Sequence, residues 1–455
     1  MREMIRTPVI GLTVLAVTAL AMVISASPAW AATFTVDTAG DPIPVAGAGA
    51  CTAALNDCSL RGAIEKSNAT GQADTIKFVA DFAESQHTIT LRAPLTTGDA
   101  AADEITINGP GQSLLAVKQS VQLRVFQIFS GSKATIKGIT ISGGRSPNNA
   151  GGILNNPGAV LTLNDTTVTD NQALGTQQDT GNGGGIYNAS NATLTLNRST
   201  VSANKAVTLG SGGGIYSEGG TITLNDSTVG ANTATDGFGG GIYNFNSILT
   251  LNRSTVSANK GFSGGGISSG TDLTGITTTI RNSTISGNTA DVRGGGIYNT
   301  RGLTTIQHST ITNNGATLSG NGSGVASSGD NATKTQVRSS IVSANTNSDV
   351  DFVLGAGINT FLSKGFNRIG DGNATAAFNK PGDQSLVMVP GLGPLASNGG
   401  PTQTHAVLKG SSAVDRGAAG GCPGTDQRGK RRPQDGDGKG NSRCDVGAFE
   451  KKAVR

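Results

Sequence analysis

Helical periodicity is missing from most of this chain, and so are most of the residues on which site chemistry depends. Its 455 residues include three histidines, four cysteines, four tyrosines, one tryptophan and only 14% charged side chains. The histidines, His87, His308 and His405, are scattered and none lies near a cysteine, which argues against zinc. A net charge of +4 gives no electrostatic footprint for nucleic acid or an anionic membrane. The basic residues Lys430, Arg431, Arg432, Lys451 and Lys452 read as solvated surface. No membrane span is expected either. Arg2 and Arg6 precede an apolar stretch from Val9 to Ile24, and Ala29-Trp30-Ala31 precede Ala32, the pattern of a secretory signal peptide over 1–31.

Glycine, threonine, serine and asparagine are abundant, and they are arranged in a repeat. A Gly-rich run recurs at 151–155, 183–188, 212–217, 239–244, 264–268 and 294–299. A second element is anchored by apolar pairs five residues apart: Ile136/Ile141, Leu163/Val168, Leu196/Val201, Leu224/Val229, Leu251/Val256, Ile280/Ile285, Ile306/Ile311 and Val337/Val342. Successive anchors lie 26 to 33 residues apart, the period of a solenoid whose units bury an apolar face only by stacking. Alternation in Thr193-Leu194-Thr195-Leu196 is that of a half-buried strand, and the scarcity of Glu, Lys and Leu sets aside helical repeats. The reading is an all-β fold, a right-handed parallel β-helix of roughly ten coils, with three short strands per coil.

Stacked coils place equivalent residues in ladders, roughly 4.8 Å apart. One ladder reads Asn171, Asn204, Asn232, Asn259, Asn288, Asn314 and Asn345, whose amides can bond along the axis and whose backbone suits a left-handed corner. An outward row reads Thr135, Thr162, Thr195, Thr223, Thr250, Thr279 and Thr305. Two after each anchor come Asp165, Arg198, Asp226 and Arg253, an alternation of charge that serves stacking. Tyr187, Tyr216, Tyr243 and Tyr298 share one slot after the Gly run, with Ser268 interrupting. They either stabilise the coil by stacking or form an aromatic stripe for sugar rings.

Cysteines fall in two local pairs, Cys51 with Cys58 and Cys422 with Cys444, and export favours two local disulfides stapling the solenoid ends. Leu60, Ala63, Ile64 and Ser67 mark a short amphipathic helix with Ser59 as N-cap, placed to cover the first coil. The expected organisation is a signal peptide over 1–31, an N-terminal cap with first coils over 32–130, repeat coils over 131–349, decaying coils over 350–385 and a non-repetitive module over 386–455.

The stretch Phe34-Thr35-Val36-Asp37, with Cys58-Ser59-Leu60-Arg61-Gly62-Ala63-Ile64, His87-Thr88-Ile89-Thr90-Leu91 and Ile105-Thr106-Ile107-Asn108-Gly109-Pro110-Gly111, resembles the CSLREA domain of exported bacterial proteins. Gly62 stands where that motif usually has Glu. Gly393-Pro394-Leu395-Ala396-Ser397-Asn398-Gly399-Gly400-Pro401-Thr402-Gln403-Thr404-His405-Ala406, with Thr425-Asp426-Gln427-Arg428-Gly429, Arg432-Pro433 and Cys444-Asp445-Val446-Gly447-Ala448-Phe449-Glu450, is similar to the choice-of-anchor Q module. The Gly-Gly-Gly-Ile and Val-Ser-Ala-Asn elements resemble repeats of polymorphic outer-membrane proteins. Together these resemblances imply a secreted or surface β-helix, often carried by a separate C-terminal anchor, with no catalytic residues. Only Lys451-Lys452-Ala453-Val454-Arg455 follow Glu450, so the expectation is release or non-covalent retention, without a transmembrane anchor.

Three functions are set against each other. The first is a non-catalytic binding or adhesion protein, a monomer, with polysaccharide or cell-surface glycans as partners along the tyrosine row. The alternative is a polysaccharide lyase or glycoside hydrolase, which needs a carboxylate cluster on one face. Asp179, Asp236, Asp272 and Asp291 are isolated in loops, although Asp236 and Asp291 precede equivalent Gly runs and could approach each other. The third is an ice- or mineral-binding surface on the threonine row, against which Arg281 and Arg338 count. No cofactor and no catalytic residue are assigned. The one metal candidate is Asp435-Gly436-Asp437-Gly438-Lys439-Gly440-Asn441, half a calcium loop in which Lys439 stands where a third oxygen is wanted.

Overall fold

A computed structural model describes residues 31–42, 50–52, 54–98, 103–176, 180–270, 277–318, 321–440 and 442–452. The expected signal-peptide segment up to Trp30, together with Asp179, Asp272 and Asn441, lies outside the described residues. No described helix is long and apolar enough to cross a membrane.

The chain winds as a right-handed parallel β-helix. One coil runs Ile186–Asn188, Thr193–Asn197, Thr200–Ser202 and Lys205–Ala206, and the next begins at Ile215–Glu218. Each coil from Phe126 to Ala316 thus holds four strands, where the sequence pattern suggested three. The extra one is a two-residue strand too short to show alternation. Stacking gathers the described strands into sheet A (twelve strands, Thr33–Val36 to Phe361–Ser363), sheet B (eleven, His87–Leu91 to Arg368–Ile369), sheet C (ten, Leu95–Thr97 to Val350–Val353) and sheet D (seven, Arg145–Ser146 to Gly315–Ala316). Their ladders are parallel and in register, for example Leu194↔Ile222 and Leu196↔Leu224.

Alternation decides the core. The anchors Leu163, Leu196, Leu224, Leu251, Ile280 and Ile306 form one fully buried column, and Val168, Val201, Val229, Val256, Ile285 and Ile311 form a second. A third comes from the Gly runs: Ile153, Ile186, Ile215, Ile242, Ile267 and Ile297. Each such side chain contributes about 1.5–3 kcal/mol by leaving water. The threonine row of sheet A stays half-exposed on the opposite face of the same strands.

Corners are held by ladders of hydrogen bonds. The Asn204 side chain donates to Asn232 Oδ1 at 3.0 Å and to the Val168 carbonyl at 3.0 Å, while Asn204 Oδ1 accepts from the Asn171 backbone and side chain. The pattern repeats through Asn259, Asn288, Asn314 and Asn345. The left-handed backbone expected of these asparagines belongs instead to the residue before each, as at Ala203, Ala231 and Ala258 (φ 54°, 54° and 55°). The asparagine is thereby free to turn its amide inward. Asp165, Arg198, Asp226 and Arg253 are left-handed corner residues too, and Arg198 grips Asp165 and Arg253 grips Asp226 with two hydrogen bonds each.

The N-terminal cap follows the sequence reading. Helix α1, Leu60–Asn68, starts at Ser59, whose hydroxyl accepts from Gly62 N at 3.1 Å, and buries Leu60, Ala63 and Ile64 in the core. Gly62 sits third in the helix, where a Glu would complete a capping box. Arg61 is also buried, bonded to Asp41 and the carbonyls of Ala93 and Pro94. Cys51 and Cys58 are joined just before the helix, and Cys422 and Cys444 are joined in the C-terminal segment.

The C-terminal segment behaves differently from an end staple. After Phe361 and Phe378 pack at the last coil, residues 391–450 fold back along the side of sheet B. Thr402 bonds to the Arg253 carbonyl, Thr255 to the Gln403 carbonyl, Ser286 to His405 and Ala448 N to Thr310. Thr255, Thr284 and Thr310 are therefore buried, whereas Thr167, Thr200 and Thr228, lower in the same column, remain half-exposed.

Candidate functional site

The tyrosine slot lies on sheet C, one residue after each inward isoleucine, so its side chains point away from the core. Its backbone is set by the Gly run. Gly212 is left-handed (φ 66°), and a Cβ on Gly213 would stand 2.4 Å from the Gly240 carbonyl oxygen and 2.4 Å from the Thr233 carbonyl carbon. Only glycine lets consecutive corners approach this closely.

In-register pairing brings Tyr187, Tyr216 and Tyr243 into one column, followed by Ser268 and Tyr298. The Tyr187 and Tyr216 rings stack at 5.0 Å, and Tyr216 meets Tyr243 edge-on at 5.4 Å. Two phenylalanines not singled out from the sequence complete the group: Phe238 stacks on Tyr243 at 5.6 Å and Phe245 at 5.8 Å. Phe262, whose N–H donates to the carbonyl of Gly237 beside Phe238, lies on the neighbouring coil. Phe238 is 37% exposed and Phe262 41%, values high for rings of this size.

The four tyrosines are not equivalent. Tyr187 and Tyr243 are half-buried, whereas Tyr216 retains 7% of its surface and Tyr298 only 4%. Tyr298 is set apart by Ser268 and packs against Ala326 and Val353. A continuous stripe of four open rings is thus replaced by a compact patch around Tyr187, Tyr243, Phe238, Phe245 and Phe262. Burial first, and then the Glu218 carboxylate that accepts the Tyr187 hydroxyl, push the Tyr187 phenol well above its ordinary range. Burial does the same to Tyr216. Both hydroxyls stay protonated, and that of Tyr187 donates to Glu218.

The isolated acids remain dispersed. Asp291 lies 3.6 Å from Lys260, and Asp236 precedes a Gly run two coils away, about 10 Å along the axis at one strand spacing per coil. Asp435 and Asp437 do converge, and Asp415 joins them within 4.8 Å of ligand-atom separation. Lys439 Nζ occupies Asp437 at 2.9 Å, and backbone N–H groups of Lys439 and Gly440 hold Asp435. The cluster is satisfied by protein groups, and Lys439 stands where the sequence placed the defect in a calcium loop. His405 bridges Ser286 and the Gly393 carbonyl, and His308 lies under the Gly421 carbonyl. Burial lowers both, His308 to about 4, so both are neutral structural groups.

No protein-family model matches the chain, and no curated protein sequence matches it. Among solved structures, the crystal structure of pectate lyase Pel9A aligns with a TM-score of 0.44 at 12% identity, covering 92% of this chain and 96% of that one.

Proposed function

We propose that the protein is an exported, non-catalytic binding protein whose aromatic patch takes polysaccharide. The observation that supports this reading is the exposure of Phe238 and Phe262 beside half-buried Tyr243, Tyr187 and Phe245. Flat rings fixed by a β-helix give sugar faces an apolar platform at little conformational cost, and the Tyr187–Glu218 pair offers polar groups at its edge. Both disulfides fit an oxidising compartment.

A glycan array probed with the purified protein tests the reading. Phe238→Ala and Tyr243→Ala are expected to weaken any hit at least tenfold, about 1.4 kcal/mol. Tyr298→Ala, remote and buried, is expected to leave it unchanged. The absence of any sugar ligand, or a hit indifferent to both patch variants, overturns the assignment.

A further inference from the structure

A second, chemically distinct cavity lies in the C-terminal module. It encloses about 690 Å³, within the range of small-ligand sites, and its walls include Lys409, Arg416, Lys439, Lys451, Ser411 and Asp437. Hydrogen bonds brace its walls. The Asp445 carboxylate accepts from Asp415 N at 2.7 Å and from Lys451 N at 2.5 Å, which ties the loop at 409–416 to the segment at 445–451. Asp415 in turn accepts from the backbone of Asp437, and Cys444 is cross-linked to Cys422.

Charge in the cavity is unevenly satisfied. The carboxylates are committed: Asp437 to Lys439, Asp435 to two backbone N–H groups, and Asp415 to the N–H groups of Gly436 and Asp437. Lys451 Nζ donates to the Gly436 carbonyl. Arg416 and Lys409, both exposed, line the same cavity and among the described residues neither forms an ion pair, although the Arg416 charge is felt by Asp437 on the same wall. A guanidinium fork and an ammonium facing one cavity suit a bidentate oxyanion, and Ser411, whose hydroxyl donates to the Pro390 carbonyl and accepts from Ala413 N, keeps one lone pair for a ligand hydroxyl. Val414 supplies an apolar wall.

We infer that this cavity binds a sugar carrying an oxyanion, held through its charged group by Arg416 and Lys409. The shared chemistry is a carboxylate or phosphate on a hydroxylated ring, so a uronate and a sugar phosphate are both candidate sources. The site is independent of the aromatic patch.

Isothermal titration of the full chain with tri-galacturonate, glucose 6-phosphate, glucose and inorganic phosphate tests this. One acidic sugar is expected to bind, to weaken as salt rises, and to lose at least tenfold in affinity in Arg416→Gln and in Lys409→Gln. Both positions are at the surface, and circular dichroism is expected to stay native. Lys77→Gln, on an early coil, serves as the control that retains binding. The tighter of the two acidic sugars identifies the source. Failure of both acidic sugars to bind overturns the proposal, as does binding that survives both cavity substitutions. Inorganic phosphate binding as tightly as glucose 6-phosphate overturns the sugar assignment. Loss of titration with a retained array signal at the aromatic patch would separate this failure from that of the binding function proposed above.

Discussion

The repeat coils and the C-terminal module solve the same problem, burial of polar groups, by opposite means. In the coils one solution is found once and copied: every ladder asparagine makes the same bonds as its neighbours above and below. In the module each contact is used once. The Gln427 amide reaches Thr255, Thr402 and the carbonyls of Ser254 and Gln403, and it accepts from Thr284. Among the described residues no Asp, Glu, Lys or Arg is buried in the coils over 131–345, yet Asp426, Arg432, Asp445 and Glu450 are all buried in the module. Arg428 neutralises Asp426 and lies 3.5 Å over the Phe449 ring, and Arg432 faces Glu450 at 3.3 Å. Repetition tolerates only uncharged polar groups, because a charge copied at every coil would meet its own kind one strand spacing away.

The sharpest way to break the coils is at their glycines. Gly213→Ala puts a Cβ against backbone atoms that have no rotamer to yield, and a loss of about 4 kcal/mol or more is expected. Urea denaturation followed by circular dichroism measures it. Asn259→Ala comes next. It strips the Asn232 and Val229 backbone groups of their partner and interrupts the ladder, at about 2–4 kcal/mol, with faster amide exchange spreading to the neighbouring coils. Equal effects at distant and adjacent coils would count against nearest-neighbour coupling.

Gln427→Ala probes the other side of the comparison. A loss of about 1–3 kcal/mol is expected, confined to the module, so that trypsin cleaves near Arg428 and Arg431 while the coils stay protected. Simultaneous loss of both regions would show that they fold as one unit.

Acid sharpens the same division. His308 has a folded value near 4, lowered chiefly by burial and then by Arg432, against an ordinary value of 6.5. The unfolded chain therefore takes up this proton first. The stabilisation is fully present above about pH 6.5 and is lost as pH falls towards 4, at most about 3 kcal/mol. Glu450 acts with opposite sign. Burial raises it to about 7, so the folded state holds its proton longer and stability falls as pH rises from about 4.5 to 7. Comparison of wild type with His308→Gln across pH 4–7 isolates the histidine: the variant is expected to lose less of its module protection on acidification. The smallest effect is expected at the surface. Asp165→Asn breaks an exposed pair with Arg198 and should cost under about 1 kcal/mol in thermal denaturation, vanishing in high salt.

Much of the solenoid is legible in the sequence, because a fold that repeats writes its contacts there many times. The apolar anchors, the asparagine ladder, the outward threonines and the Ser59 cap each carried a local reason. The fourth strand did not, since Lys205–Ala206 is too short to alternate. A further buried ladder, Asn155, Asn188, Ser217 and Asn244, was hidden by its mixture of residue types, although Asn155 and Asn188 bond at 2.7 Å. The candidate site was legible only as a place. Its tyrosine slot stood out, yet Phe238 and Phe262 belong to the non-repeating part, where position in the sequence says nothing of height along the axis.

The sequence alone therefore determined the coil: period, alternation and glycine spacing leave a chain of short strands no other way to bury its leucines and isoleucines. Tertiary structure alone decided which surfaces remained open. Chemically identical threonines differ in burial because a segment about 150 residues later folds back over some of them, bonding as far as Thr255 to Gln403. Chemically identical tyrosines differ because neighbouring coils cover Tyr216 and Tyr298 and leave Tyr187 and Tyr243 half-open. Stacking follows from local pattern, whereas exposure is a property of what comes to lie alongside.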